Sequence, residues 1–265
     1  MRMRLRDTID IARRQGACTS TAPDWPTLGL RQIDAALGPI PPGTVGLLGA
    51  ATGCGKSSIM LWAALNSPTA GIISLEDGPL VVGTRTLSLA SGVDAREMLT
   101  GLSPEDQEKV DHAEQRIAEL DFPLVEVAVG ADTLAVERAV DKLAQAGCRT
   151  IWIDYLQKVR PGEDAPEDRR TAINVLWGAL QRAAIRHDVV VIGISQLGRN
   201  AQEGEPSLHS FKESGDLENE CRFALLAHRS VDSPTVVLTV AKGLFGGVGT
   251  QMVFERVNGA LKPVW

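Results

Sequence analysis

Ala50-Ala51-Thr52-Gly53-Cys54-Gly55-Lys56-Ser57 is the stretch on which the reading of the fold turns. It follows an apolar run, Thr44-Val45-Gly46-Leu47-Leu48, that reads as a strand. It opens a helical pattern carried by Ser58, Ile59, Leu61, Trp62 and Leu65. Ala or Gly, four further residues and then Gly-Lys-Ser, set between a strand and a helix, make a phosphate-binding loop. Gly53 and Gly55 let the backbone curl until successive N–H groups point inward at phosphate oxygens, and the helix N-terminus adds its own positive end. The candidate cradle is therefore Ala51, Thr52, Gly53, Cys54, Gly55, Lys56, Ser57 and Ser58. Lys56 has the reach for the β- and γ-phosphates, and the Ser57 hydroxyl suits Mg²⁺.

Outward from this loop, short apolar runs alternate with helical patterns. Ala70 to Leu75, Pro123 to Val127, Thr150 to Ile153, Val189 to Ile194, Phe223 to Ala227 and Thr235 to Ala241 read as further strands. Apolar residues on consecutive positions belong to strands covered on both faces. Val110, Ala113, Ile117 and Leu120 recur at spacings of three and four and stripe one face of a helix. Ser103-Pro104-Glu105-Asp106 marks its start with a capping hydroxyl, a proline at the first helical position and acid in the first turn. A second helix spans about Thr133 to Ala146 and stops at Gly147. Helix alternating with strand predicts an α/β fold in which helices flank a mainly parallel sheet, while the closing strands, joined by short connections, can pair antiparallel. Arg160 to Arg170 and Arg199 to Ser210 are polar and read as loops. Ahead of the first strand, Leu5, Ile9 and Ile11 among Arg2, Arg4, Arg6, Arg13 and Arg14 read as a short helix that needs a surface to dock on. The chain thus divides into an N-terminal helix segment, 1–25, and an α/β unit, 26–265.

Of the 265 residues, 44% are hydrophobic and 23% charged, enough for a substantial core and too apolar for a disordered or collagen-like chain. Asp and Glu number 33 against 27 Lys and Arg, a net charge of −6, which excludes a generally basic nucleic-acid coat. Any contact with nucleic acid is then local. Cys18, Cys54, Cys148 and Cys221 have neither paired metal-ligand spacing nor the density of a disulfide framework, which predicts reduced thiols in the cytoplasm. No apolar run approaches the roughly 18 residues that span a bilayer, so no membrane partner is expected.

Three more residues carry chemistry. Thr150-Ile151-Trp152-Ile153-Asp154 is an apolar strand ending in a carboxylate, the Walker B pattern, in which Asp154 polarises Mg²⁺ or its water shell. Glu76 closes Ile72-Ile73-Ser74-Leu75, and a carboxylate at a strand's carboxyl end lies on the rim where open α/β sheets bind ligands. From there it can orient and deprotonate the water that attacks a γ-phosphate. Gln196 closes Val191-Ile192-Gly193-Ile194-Ser195, where a neutral amide can sense that phosphate without adding charge.

Order and spacing add a resemblance. Ile73-Ser74-Leu75-Glu76, Ile153-Asp154-Tyr155-Leu156-Gln157, Ile194-Ser195-Gln196-Leu197 followed by Arg199, and Glu213-Ser214-Gly215 together resemble the C-terminal motor domain of the DnaB family of replicative helicases, over roughly residues 26 to 255. The resemblance implies a RecA-like P-loop NTPase fold and assembly into a ring, usually hexameric, with ATP and Mg²⁺ bound between neighbours. It also implies translocation on single-stranded DNA through a central channel, and leaves open whether a primase or loader is recruited. Carried over by position, Lys56 is the phosphate residue, Ser57 and Asp154 the metal residues, Glu76 the catalytic base and Gln196 the sensor. Lys212, Glu213 and Gly215 match the channel loop that holds DNA, with Arg199 close by in sequence. Lys212 stands where the family uses arginine, so it can neutralise a phosphate but lacks the bidentate fork.

Two departures set further expectations. Family members carry a Lys-x-Arg pair that reaches the neighbour's γ-phosphate; here Lys242 fits the first position and Leu244 occupies the arginine's. Turnover is then expected to be slow, to depend on Lys242, or to borrow another arginine such as Arg229. The other departure is length: about 25 residues cannot build the family's primase-binding domain, and Met1 to Gln15 resembles the linker helix that docks on an adjacent motor. Its deletion is expected to move the assembly toward monomers in a sizing experiment. A reading from another class is a RecA-like ATP-binding regulator or assembly ATPase with little unwinding; single-stranded DNA would stimulate a motor's ATPase and not a switch's. A strand-exchange recombinase is disfavoured by the "DYLQ", "SQL" and "ESG" segments.

Overall fold

The computed structural model describes residues 3, 5–17, 24–160, 169–198, 206–214, 217–229, 233–257 and 260–264. Among them nine strands form one sheet. In chain order these are β1 (Val45–Ala50), β2 (Ala70–Ser74), β3 (Leu124–Val127), β4 (Thr150–Asp154), β5 (Val190–Gln196), β6 (Phe223–His228), β7 (Thr235–Lys242), β8 (Gln251–Val257) and β9 (Ala260–Val264). Their spatial order is β3-β2-β4-β5-β1-β6-β7-β8-β9. All pairs from β3 to β6 are parallel, and β6 to β9 pair antiparallel. The predicted α/β fold with a parallel centre and antiparallel closing strands is what the chain adopts.

Burial explains the two halves. Every residue of β1, β2 and β4 is buried, because helices cover both faces there. β7 alternates instead: Val236, Leu238 and Val240 are buried and their neighbours half-exposed, as in a strand with one face in the core. On one face, α2 (Arg31–Leu37), α3 (Lys56–Leu65), α4 (Pro79–Ser91) and the β8–β9 hairpin share a core with Leu48, Ile72 and Trp152. On the other, α7 (Thr133–Gln145), α8 (Arg169–His187) and the 3-10 segment Leu208–Ser214 pack on Leu47, Ile73 and Ile153. α5 (Ala95–Thr100) and α6 (Pro104–Ala118) extend the first layer, and the short α9 (Leu217–Glu220) precedes β6.

Local signals agree with these elements. The Ser103 hydroxyl accepts from the Asp106 N–H at 3.1 Å to cap α6, a contact of the kind worth about 1 kcal/mol. Asp132 caps α7 in the same way through the Ala135 N–H at 2.8 Å. α1 (Leu5–Arg14) is helical with no buried residue, and Leu5 is 78% exposed. No helix among the described residues is long and apolar enough to cross a membrane.

β8 and β9 lie outside the predicted strands. β8 has only Met252 and Phe254 buried, with Val253 between them half-exposed, and β9 carries Pro263, which a sheet tolerates here because β9 is an edge strand. α2, α4, α5, α8 and α9 likewise lie outside the predicted helices, and α8 begins at Arg169, inside the stretch read as loop through Arg170. α6 ends at Ala118, so Leu120 falls just past it.

Candidate nucleotide site

The parallel strands bring their carboxyl ends to one edge of the sheet, where open α/β folds bind ligands. β1 ends at Ala50, and the chain turns through Gly53 (φ +74°) and Gly55 (φ +108°) into α3. Both glycines sit in the left-handed region that side chains avoid. A Cβ at 55 would also stand 2.6 Å from Leu261 Cδ1 of β9, so the loop's curvature and the packing beneath it both demand glycine. Cys54 is buried under the loop, and Thr52 and Gly53 face solvent.

Four predicted residues from four strand ends meet around this loop. Lys56 donates weakly to the Ala51 carbonyl at 3.4 Å, and its ammonium lies 5.9 Å from the centre of the Tyr155 ring. Burial pushes its pKa down, while Asp154, Cys54 and Glu76 pull it back up. Asp154 is 5% exposed and accepts a hydrogen bond from Ser57. Its Oδ1 is buried with no partner among the described residues. An orphaned carboxylate oxygen beside a serine hydroxyl is a donor set that fits a hard divalent cation such as Mg²⁺. Gln196 donates from Nε2 to Thr52 Oγ1 at 2.7 Å, which ties the end of β5 to the loop. Glu76, just past β2, is exposed, and its Oε1 lies 3.0 Å from Lys158 Nζ.

Burial also raises the Asp154 carboxyl above the usual carboxylate range; Ser57 and Lys56 oppose that, and Asp77 and Glu76 add to it. The folded protein therefore keeps a proton that the unfolded chain has already released, and nucleotide-free stability falls as pH rises from the ordinary Asp value through the raised one. Asp154→Asn should flatten the decline in melting temperature from about pH 4 upward. A slope unchanged in the variant would remove Asp154 as its source.

Lys158, Arg85 and Arg256 escaped sequence reasoning, and Gln157 and Arg229 were given no place at this loop by it. Gln157 bridges the exits of β4 and β5: its Nε2 donates to Ser195 Oγ at 2.9 Å, and its Oε1 accepts from the Gln196 N–H at 3.2 Å. Lys158 pairs with Glu76 and lies 5.5 Å from the Tyr155 ring centre, and the Glu76 contact raises its pKa. Arg85 of α4 is ion-paired with Asp77, and Arg256 of β8 reaches the Gly53 carbonyl at 3.4 Å. Arg229, just past β6, is close enough, with Lys56 and Arg256, to act on the Cys54 thiol, although burial still raises that thiol. No local motif marks Arg85 or Arg256; helix packing and strand order deliver them, and Arg229, named from the sequence as an arginine to borrow, lies near its own loop.

Lys242 is apart from this cluster. β7 runs antiparallel to β6 and pairs Lys242 with Ala224, at the opposite end of the sheet from the loop. There its ammonium donates to the Glu218 and Asn219 carbonyls at 3.0 and 3.1 Å. Lys212 and Glu213 lie in the 3-10 segment Leu208–Ser214, while Arg199 and Gly215 are outside the described residues. That segment is anchored by Phe211, fully buried, whose ring occupies the space of a missing Cβ on Gly49 in β1.

The model of the DnaB-like helicase C-terminal domain family matches residues 27–253. The chain belongs to this family. Among relatives, the replicative DNA helicase DnaB of Treponema pallidum (strain Nichols) is 28% identical over 232 residues, which cover 84% of this chain and 52% of that protein. The DnaB helicase of Geobacillus stearothermophilus is 27% identical, covering 76% of this chain and 48% of its own length. A probable plasmid replicative DNA helicase of Chlamydia trachomatis is 23% identical over 91% of this chain and 56% of that protein. The chain thus spans about half the length of these DnaB-like relatives. In three dimensions it is similar to a solved ATPase domain, with a TM-score of 0.84 at 20% identity and full coverage of both chains. A DnaB-like replicative helicase, solved in a study of its interactions with primase, gives 0.82 at 21% identity, covering 98% of this chain and 67% of that one. The RadB recombinase follows at 0.56 and 14% identity, over 90% of this chain and 99% of that one, a likeness of fold.

Proposed function

We propose that this chain is the motor of a DnaB-type ring helicase, hydrolysing ATP between neighbouring copies of itself to move along single-stranded DNA. The observation that carries the reading is the convergence of Lys56, Ser57, Glu76, Asp154 and Gln196 at one sheet edge while Lys242 sits at the other. A cation at the far edge cannot serve its own phosphate loop, but it suits a head-to-tail ring in which each copy completes the next copy's site.

In this reading Lys56 and the loop amides hold the β- and γ-phosphates, and Glu76 orients the attacking water and takes its proton. Mg²⁺, held through Ser57 and Asp154, would supply charge to the phosphate oxygens. Gln196 touches the loop directly and is locked to β4 through Gln157, so a change at the γ-phosphate is felt at the end of β5. Beyond β5, Leu197 and Phe211 both pack against Gly49, at the base of the loop. The segment bearing Lys212 is thereby joined to the strand that bears the nucleotide, and we assign to Lys212, Glu213, Gly215 and Arg199 the grip on DNA. Arg199 to Glu213 holds two basic and three acidic residues, so the grip rests on a few local contacts and not on a broad positive funnel.

Assembly into a ring is part of the same proposal. α1 presents Leu5, Ile9 and Ile11 to solvent, each at least 40% exposed, with arginines beside them. A helix of ten residues is marginal without a partner surface, and an adjacent copy supplies one. Deleting residues 1–20 should shift the elution profile toward monomers, and an undisturbed ring would remove α1 from the interface.

The deciding experiment is unwinding of a forked duplex with ATP, alongside ATPase measured with and without single-stranded DNA, using Glu76→Gln as the inactive control. Unwinding together with DNA-stimulated turnover supports the motor. ATP binding with neither would make the chain a nucleotide-dependent switch.

A further inference from the structure

A cavity of about 290 Å³ opens on the flank of the phosphate loop, between Lys56 and Ser58 of α3, Arg85 of α4, and Arg256 and Ala260 of the β8–β9 hairpin. Among the described residues its charged lining is Lys56, Arg85 and Arg256, with no carboxylate. Arg85 already has Asp77 as its counter-ion. Arg256 has only a long contact of 3.4 Å from Nη2 to the Gly53 carbonyl, and its Nε is buried with no hydrogen-bond partner among the described residues. A buried guanidinium N–H left unmade is costly, and the rest of this half-buried side chain lines the cavity. The arrangement calls for an anionic acceptor.

We infer that Arg256 binds the non-transferred phosphates of the nucleotide, at its α- and β-phosphate end, within its own subunit. The inference rests on the nucleotide-site reading above and adds a residue to it. Glu76, Asp154 and Gln196, the groups at the γ-phosphate, do not line this cavity. A triphosphate whose terminal group lies among them leaves its α-phosphate and nucleoside on the opposite flank of the loop, where Arg256 and Ser58 stand. The β8–β9 hairpin is what brings the guanidinium there: although β8 lies three strands from β1, the hairpin packs against α3 and α4, with Leu261 against Gly55.

Such a contact acts on the bound ground state and on the transition state alike, so it should govern affinity and not turnover. Arg256→Gln should weaken Mg²⁺–ADP and ATP binding equally, by about tenfold to hundredfold, the range of one charge-assisted hydrogen bond. KM for ATP should rise in step, while kcat at saturating ATP stays near its starting value. Arg256→Lys, which keeps the charge and loses the fork, should fall between the two; it also serves if the glutamine variant unfolds. Unaltered ADP affinity in Arg256→Gln, or a fall in kcat at constant KM, would overturn the assignment. Failure of the unsubstituted protein to bind ADP would instead overturn the nucleotide site itself.

Discussion

Glu76→Gln should leave nucleotide bound and lower ATP hydrolysis by about 10²–10⁴-fold, the contribution of a positioned general base. The carboxylate stands past the end of β2, with β4 carrying Asp154 as its neighbour in the sheet. Glutamine keeps the shape and one acceptor oxygen but cannot take a proton. It also loses the ion pair with Lys158, but that pair is water-accessible on both sides, with side-chain exposures of 40% and 44%. Exposed pairs of this kind contribute little, about 0–1 kcal/mol, so folding should be unaffected. The check is a pair of measurements on one preparation: equilibrium ATP binding, expected to be unchanged, and single-turnover hydrolysis, expected to collapse. Near-normal hydrolysis would move the base to another residue and leave Glu76 as a rim carboxylate.

Lys242→Ala should lower turnover by about 10³-fold, the lower end of what a finger cation contributes to phosphoryl transfer. The prediction follows from Leu244 standing where the family has an arginine, which leaves Lys242 as the cation of the pair. Within one chain this lysine caps α9 by donating to the Glu218 and Asn219 carbonyls. Loss of the cap is a local structural cost, and it needs separating from loss of a catalytic charge. Mixed rings make the separation. A Lys242→Ala subunit has an intact Glu76 site and lacks the cation; a Glu76→Gln subunit has the cation and lacks the base. Where the first meets the second in the right order, one complete site forms, so mixing two inactive preparations should restore activity. No recovery, or full turnover in Lys242→Ala alone, would exclude a role across the subunit boundary and turn attention to Arg229, which lies near its own loop.

The stability prediction for Asp154 and the affinity prediction for Arg256 share a cause with these. In each, a polar atom of a charged side chain is buried without a partner among the described residues, next to a place where a ligand of opposite charge belongs. Asp154 meets this by holding on to its proton, which is why nucleotide-free stability should fall with rising pH. Arg256 leaves its Nε–H without a partner among the described residues, a contact that an anion in the cavity can make.

Much of this was legible from residue order. Consecutive apolar runs announced β1, β2, β4 and β5, because strands buried on both faces need no polar alternation. Ser103-Pro104 and Gly147 marked the ends of α6 and α7 because capping chemistry is local. The loop, Glu76, Asp154 and Gln196 could be read because each ends or follows a strand, and parallel strands deliver their ends to a common edge. β8 was harder: Met252-Val253-Phe254 is an apolar run of only three residues before Glu255-Arg256, and Asn258-Gly259, a strong hairpin signal, was the sign available.

What residue order determined by itself was the inventory of the phosphate edge, since the geometry of a curled glycine loop and of strand ends is set within a few residues. What only the tertiary structure decided was which distant cations join that edge and which leave it. Arg256 arrives because the β8–β9 hairpin packs on α3 and α4, and Lys242 is carried to the opposite end because β7 runs against β6. Both outcomes depend on strand direction and on how a sheet packs against its helices, which are settled by long-range packing and not by local sequence.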